Sequence, residues 1–267
     1  MRWFFLGLIG GALLAAKAEA RELDRSYTIY FGGFSVAAFD SKIAVESSAY
    51  RVTTNARSLG ILDYFFPIEV TSEGSGQVTG TGIKPETYRS NGTFNGKPRR
   101  IALTNRAGDA PAVVMHPPRD PEKRDAVPED LQRDTIDPYA AVVSLALTAK
   151  DNPCEEELRV FNGRTRTDFR LSHAGSDILK KTEYSVFDGP AELCDVTYET
   201  LAGGYKKPWF GEDKTDAVTR LWVARLTDGG AWVPVRLEAE GPFGMIVGHI
   251  TGASERVDLA DRILLKP

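Results

Sequence analysis

One segment constrains the fold more than any other: RDTIDPYAAVVSLALTAK, residues 133–150. Its stretch Tyr139–Leu147 is apolar apart from Ser144. A helix on the surface of a sheet normally presents a polar face to water, and this segment has almost none. It is also too short to cross a bilayer, which takes about 20 residues. A helix of this kind must be covered on most sides by the rest of the chain.

The start of this helix is marked by Asp137 and Pro138. Aspartate caps the free N–H groups of a first turn, and proline is common at the first helical position. We therefore predict an apolar helix over residues 137–149, capped by Asp137. If the covering layer leaves space beside it, a ligand groove would be lined by Tyr139, Val142, Val143 and Leu147.

The remainder of the chain has the patterns of β-strands. Tyr27, Ile29 and Phe31 alternate along one run, and another β-rich run is predicted from Tyr64 to Gly80. Asn-Gly pairs at 95–96 and 162–163 stand between strand-like arms and predict hairpins.

The covering material available to the apolar helix is therefore β-sheet. We predict a mainly β fold: a long, strongly curved antiparallel sheet, a β-spiral or half-barrel, wrapped around one central apolar helix. Residues 21–267 would form a single domain. Within it, residues 109–134 hold five of the 15 prolines and predict an irregular, exposed loop.

The N-terminus predicts export. One arginine, Arg2, precedes the apolar stretch Trp3–Ala16, and Ala18-Glu19-Ala20 fits the small-x-small cleavage pattern. We expect residues 1–20 to be a signal peptide cleaved after Ala20, which leaves a periplasmic protein without a stable membrane span. The full chain carries a net charge of −4, so its overall charge gives no reason to expect nucleic acid as a partner.

Two cysteines, Cys154 and Cys194, lie in the part of the chain expected to be exported. In an oxidising compartment we expect them to form a structural disulfide. A redox-active pair, the alternative, normally has close spacing such as C-x-x-C.

The sequence contains no recognisable catalytic or cofactor motif. The three histidines lack metal-ligand spacing, so we expect neither a metal nor another cofactor. Asp134, Asp137 and Asp168 could serve as acid–base groups only if the fold brought them together. The arginines Arg164, Arg166 and Arg170 suit a solvated strand face better than an anion site.

Five segments, in this order, resemble a family of exported Gram-negative proteins known as domain of unknown function 3108. They are GSGQVTGTGIKPETYRS, TIDPYAAVVSLAL, VFNGRTRTDFRL, LCDVTYETLAGGY and VPVRLEAEGPFGMIVGHI. The resemblance implies a long antiparallel sheet wound as a spiral or half-barrel around a helix, similar to periplasmic lipoprotein carriers. It implies no specific activity.

Three functions remain open on the sequence. The first is a non-enzymatic periplasmic protein that maintains the cell envelope by binding a protein or a hydrophobic ligand. The second is a carrier of lipid or lipoprotein acyl chains, with the apolar helix lining the groove. The third is an envelope hydrolase whose carboxylates converge only in the folded chain.

Overall fold

The computed structural model describes residues 19–80, 82–106, 108–147, 152–207, 219–241 and 244–259. Strands in these ranges form one antiparallel sheet. In chain order the 13 strands are β1 (Glu19–Phe31), β2 (Phe34–Glu46), β3 (Ala49–Ser58), β4 (Ile68–Thr79), β5 (Gly82–Phe94), β6 (Lys97–Thr104), β7 (Ala112–His116), β8 (Glu156–Phe161), β9 (Arg166–Leu179), β10 (Gly189–Ala202), β11 (Thr219–Arg225), β12 (Trp232–Gly241) and β13 (Gly244–Leu259). The helices in the same ranges are α1 (Gly60–Phe65), α2 (Glu129–Gln132) and α3 (Pro138–Leu147).

The strand order is β7-β6-β5-β4-β3-β2-β1-β13-β12-β11-β10-β9-β8. Each strand therefore pairs with its sequence neighbour, except that β1 pairs with β13. That pair joins an N-terminal half, β1 to β7, to a C-terminal half, β8 to β13. Within the described ranges the sheet is not closed, because β7 and β8 form its two edges. The prediction of a mainly β, antiparallel fold is confirmed.

Helix α3 packs against strands of both halves, β4 and β5 in one and β8 and β12 in the other. Its Ala140 and Val143 are fully buried in a cluster with Leu23 and Val52 of the sheet. Apolar burial of this kind stabilises the fold at about 25 cal/mol per Å². The predicted helix covered residues 137–149; α3 spans 138–147, and the next four residues lie outside the described ranges.

Helix α3 approaches the sheet closely at Gly74 of β4. A Cβ atom placed on Gly74 would lie 2.8 Å from Tyr139 Cβ and 3.1 Å from Tyr139 Cδ2. Contacts below 3.0 Å are repulsive, and the nearest atom belongs to the rigid base of the tyrosine side chain. The absence of a side chain at Gly74 therefore lets α3 lie directly on β4.

Replacing Gly74 by valine should force α3 away from β4. We expect the Gly74→Val variant to lose about 2 kcal/mol or more of its free energy of unfolding, the usual scale of overpacking. Chemical denaturation measures this loss. The control is Glu73→Val, an exposed position one residue earlier on the opposite face of the strand. Equal stability of the two variants would contradict the close packing of α3 on β4.

Both predicted Asn-Gly hairpins are present. Asn95 and Gly96 have positive φ angles of 52° and 71° and form the two-residue turn between β5 and β6. Between β8 and β9, Asn162 Oδ1 accepts hydrogen bonds of 2.9 Å from the N–H groups of Arg164 and Thr165. The amide side chain thus shapes the second turn directly.

The proline-rich region 109–134 differs from the prediction of an irregular loop. It contains the strand β7 and the short helix α2. In β7, Val113 and Val114 pair with Leu103 and Ala102 of β6. The β-branched residues of β7 favour a strand, and the adjacent edge of β6 supplies the hydrogen-bonding partner that the sequence alone could not reveal.

The predicted signal peptide lies almost entirely outside the described residues, which begin at residue 19. The residues on the N-terminal side of the predicted cleavage point, Glu19 and Ala20, begin β1, where they pair with Leu259 and Asp258. In the ranges that the structure describes, no helix has the length and apolar character needed to span a membrane.

Candidate functional site

The four side chains predicted to line a groove do not share one accessible surface. Val143 is fully buried, whereas its neighbour Val142 is 41% exposed. Tyr139 and Leu147 are partly buried against the same core cluster as Val143. On the side of α3 that faces the sheet, the helix lies directly on β4 at Gly74. The predicted groove is therefore not formed by these four residues together.

Asp137 is engaged at the N-terminus of α3. Its Oδ1 accepts hydrogen bonds from the N–H groups of Tyr139 (2.9 Å) and Ala140 (3.0 Å). The residue is 1% exposed, and burial raises the pKa of its carboxyl to about 6, although the backbone hydrogen bonds act in the opposite direction. The second oxygen, Oδ2, is buried without a hydrogen-bond partner among the described residues.

The other carboxylates considered for catalysis have different surroundings. Asp168 Oδ1 lies 2.7 Å from Nε of the buried Arg166, whose Nη1 also donates to the carbonyl oxygen of Leu131. Asp134 is exposed. Arg170 forms an ion pair with Glu157.

The two cysteines are joined as a disulfide. Cys154 and Cys194 have a Cα–Cα distance of 5.1 Å and are fully buried. The bond connects the segment before β8 to β10 and packs beside Leu145 of α3. Among the described residues, no group of three or more His, Cys, Asp or Glu side chains is arranged to hold a metal ion.

A group of exposed apolar side chains lies at one end of the sheet, which we call the apolar end. Its residues are Phe34, Ile61, Tyr64, Phe65, Phe66 and Phe94, with exposed fractions from 43% for Phe94 to 82% for Tyr64. Strand register brings them to the same end. Phe34 begins β2 opposite Phe31, and Ile68 at the start of β4 pairs with Phe94 at the end of β5.

Helix α1 forms the centre of the apolar end and buries none of its residues. It is nevertheless held firmly. The Leu59 N–H donates to the carbonyl oxygen of Val36 over 2.8 Å. Ser58 Oγ donates to Asp63 Oδ1 (2.7 Å) and accepts from the Ile68 N–H (2.8 Å). Hydrogen bonds thus fix the backbone while the aromatic side chains project into water.

The sequence pattern predicts a β-rich run from Tyr64 to Gly80, and this prediction is wrong at its start. In the structure Tyr64 lies in α1, and β4 begins only at Ile68. The available signal was the unbroken series Tyr64-Phe65-Phe66-Pro67, which lacks the alternation of a half-buried strand. Groups of exposed apolar side chains mark sites of interaction with proteins, membranes or ligands, so the apolar end is the candidate functional site.

Comparison with known proteins places the chain in a family. No curated protein matches it. One similar solved structure is a beta-barrel-like protein of the domain of unknown function DUF1849 from Brucella abortus, with 9% sequence identity, coverage of 90% of this chain and 98% of that chain, and a TM-score of 0.47. The family described as Protein of unknown function (DUF3108) matches residues 26–251, most of the sequence. The chain therefore belongs to the DUF3108 family.

Proposed function

We propose that this protein is a non-enzymatic periplasmic protein that supports the cell envelope by binding a lipid surface through its apolar end. The observation that carries the proposal is α1, a helix with a fixed backbone and no buried residue. Aromatic side chains on such a segment can enter the boundary between lipid headgroups and acyl chains. Their present exposure to water is unfavourable, and a lipid surface would relieve it.

Two cations beside the apolar end would attract an anionic lipid surface. Lys97 pairs with Phe94 across β5 and β6 and is exposed, and Arg100 is exposed three residues further along β6. The nearby acid Asp63 accepts a hydrogen bond from Ser58. Each exposed cation near an anionic membrane contributes about 1 kcal/mol of attraction.

The packing of α3 supports binding to a lipid surface more than it supports a carrier that encloses an acyl chain. Because α3 contacts β4 and β5 as well as β8 and β12, we infer that the sheet curves around this helix. Side chains of the core cluster pack against Ala140 and Val143, on the helix face that a carrier would use to line a cavity. The disulfide between Cys154 and Cys194 supports an oxidising location such as the periplasm.

Replacing Tyr64, Phe65 and Phe66 together by serine should abolish most lipid binding. If each side chain contributes about 1 kcal/mol, part of its full burial energy, the triple variant loses about 100-fold in affinity. Flotation with vesicles of phosphatidylglycerol and phosphatidylcholine measures the bound fraction. Because α1 buries none of its residues, the variant should retain the circular dichroism spectrum of the wild type.

The matched control is Ile178→Ser. Ile178 is 73% exposed but lies on β9, outside the apolar end, and its replacement should leave binding unchanged. Failure of the wild-type protein to float with anionic vesicles would contradict the proposal. Equal loss in the control and the triple variant would do the same. If the wild type did not float but formed a dimer, and the triple variant did not form this dimer, the apolar end would serve self-association instead.

A further inference from the structure

A second surface feature, separate from α1, is a cavity of about 280 Å³ formed by β4, β5, β6 and the turn between β8 and β9. One part of its wall is apolar, with Val70, Phe94 and Ile101. Gly163 brings the β8–β9 turn close to this wall, since a Cβ atom on Gly163 would lie 2.8 Å from Ile101 Cγ2. The volume is near the lower end for small-molecule pockets, about 300 Å³.

The other part of the wall is cationic. Arg99, Arg100 and Arg164 all line the cavity. Tyr205 also lines it, and its ring is covered by the guanidinium of Arg124, with 3.4 Å between Arg124 Cζ and the ring centroid. Among the described residues, none of these four arginines forms an ion pair with a carboxylate. Positive charge is therefore concentrated around a cavity without an internal counterion.

Arg164 is the best-defined member of this cluster. The turn positions it, because its backbone N–H donates to Asn162 Oδ1 over 2.9 Å. Its Nη2 is buried and has no hydrogen-bond partner in the described part of the chain. Burial lowers the pKa of the guanidinium, and the charges of Arg99 and Arg124 lower it further. A buried donor left unsatisfied among like charges is costly, and an anion would satisfy it.

We infer that this cavity, which we call the arginine pocket, binds an anionic group attached to a short apolar group. The arginines would hold a phosphate or carboxylate through charge-assisted hydrogen bonds. The adjoining Val70, Phe94 and Ile101 would contact the first methylene groups of an attached chain. A cavity of this size holds the charged group and the start of the chain, not an entire two-chain lipid.

The arginine pocket borders the apolar end and shares Phe94 with it, but the two differ in ligand chemistry. The apolar end would interact with a lipid surface as a whole, whereas the arginine pocket would recognise a single charged molecule. The sequence suggested that Arg164 belonged to a solvated strand face together with Arg166 and Arg170. Arg164 instead lies in the turn before β9, which is why it reaches the cavity across from β6.

The experiment is a calorimetric titration of the full chain with octyl phosphate below its micelle concentration. Inorganic phosphate and octyl glucoside serve as probes of the two parts of the pocket. Octyl phosphate should bind most tightly, inorganic phosphate more weakly, and octyl glucoside most weakly. Affinity for octyl phosphate should fall with added salt. Arg164→Gln and, separately, Arg99→Gln should each weaken it by about 10- to 100-fold.

Arg89→Gln is the matched control, because Arg89 is exposed on the opposite face of β5 and should not alter binding. Absence of octyl phosphate binding, or equal affinity in the wild type and both pocket variants, would overturn the inference. If octyl glucoside bound as tightly as octyl phosphate, the inferred preference for an anionic group would be wrong. If inorganic phosphate bound as tightly as octyl phosphate, the inferred contact with an apolar group would be wrong. The Tyr64, Phe65 and Phe66 serine variant should retain octyl phosphate binding, which separates this test from the test of lipid-surface binding.

Discussion

Replacing both cysteines by alanine is expected to lower the free energy of unfolding by about 4 kcal/mol. This is the chain-entropy value for a disulfide that closes a loop of about 40 residues. The two cysteines are separated by 40 positions in the sequence and fully buried beside Leu145, Leu171 and Val223. The bond restricts the unfolded chain, and in the folded chain it tethers the segment before β8 to β10.

Guanidinium denaturation of the Cys154→Ala, Cys194→Ala double variant measures this effect. The wild type reduced with dithiothreitol should show a similar loss, since it lacks the same covalent link. A double variant within about 1 kcal/mol of the oxidised wild type would show that the disulfide contributes little, as some disulfides do when the unfolded state retains structure.

The Asp137→Asn variant should gain stability relative to the wild type as the pH rises. Burial raises the pKa of Asp137 from 3.8 to about 6. At a pH below the pKa that this carboxyl has in the unfolded chain, the group is protonated in both states. Folding then buries no charge, and the native state is favoured. That contribution is lost as the pH rises through about 6. Asparagine carries no charge, and its side-chain oxygen can still accept the hydrogen bonds from Tyr139 and Ala140.

The stability difference between Asp137→Asn and the wild type should therefore increase by up to about 3 kcal/mol between about pH 4 and pH 7. Denaturation curves over this range measure it. Glu73→Gln, at an exposed position on β4, is the control and should show no comparable trend. A difference that stays constant with pH would mean that Asp137 titrates in the folded protein as it does in the unfolded chain.

Local sequence patterns predicted much of the fold. Alternation in Tyr27, Ile29 and Phe31 correctly indicated a strand, and the Asn-Gly pairs correctly indicated hairpins. Asp137 and Pro138 correctly marked the start of a helix. These features depend on short-range chemistry, namely side-chain periodicity, turn conformation and free N–H groups. Strand β7 was missed because its pairing with β6 depends on the tertiary arrangement.

The candidate site could be predicted far less well, because exposure does not follow from residue type. Val142 and Val143 are adjacent and chemically identical, yet one is exposed and the other is fully buried. Tyr64 and Phe65 would be expected in a core, and both face water. Arg164 reaches the arginine pocket only because the β8–β9 turn packs against β6. Each of these facts depends on contacts between distant parts of the chain.

Hydrogen–deuterium exchange in the presence of anionic vesicles tests the role of the apolar end most directly. Backbone exchange should slow in residues 59–67 and at the turn between β1 and β2, and it should not change around Ile178 on β9. The serine variant of Tyr64, Phe65 and Phe66 should lose this protection. Unchanged exchange in residues 59–67 while the protein is bound to vesicles would contradict the proposal that this end contacts lipid.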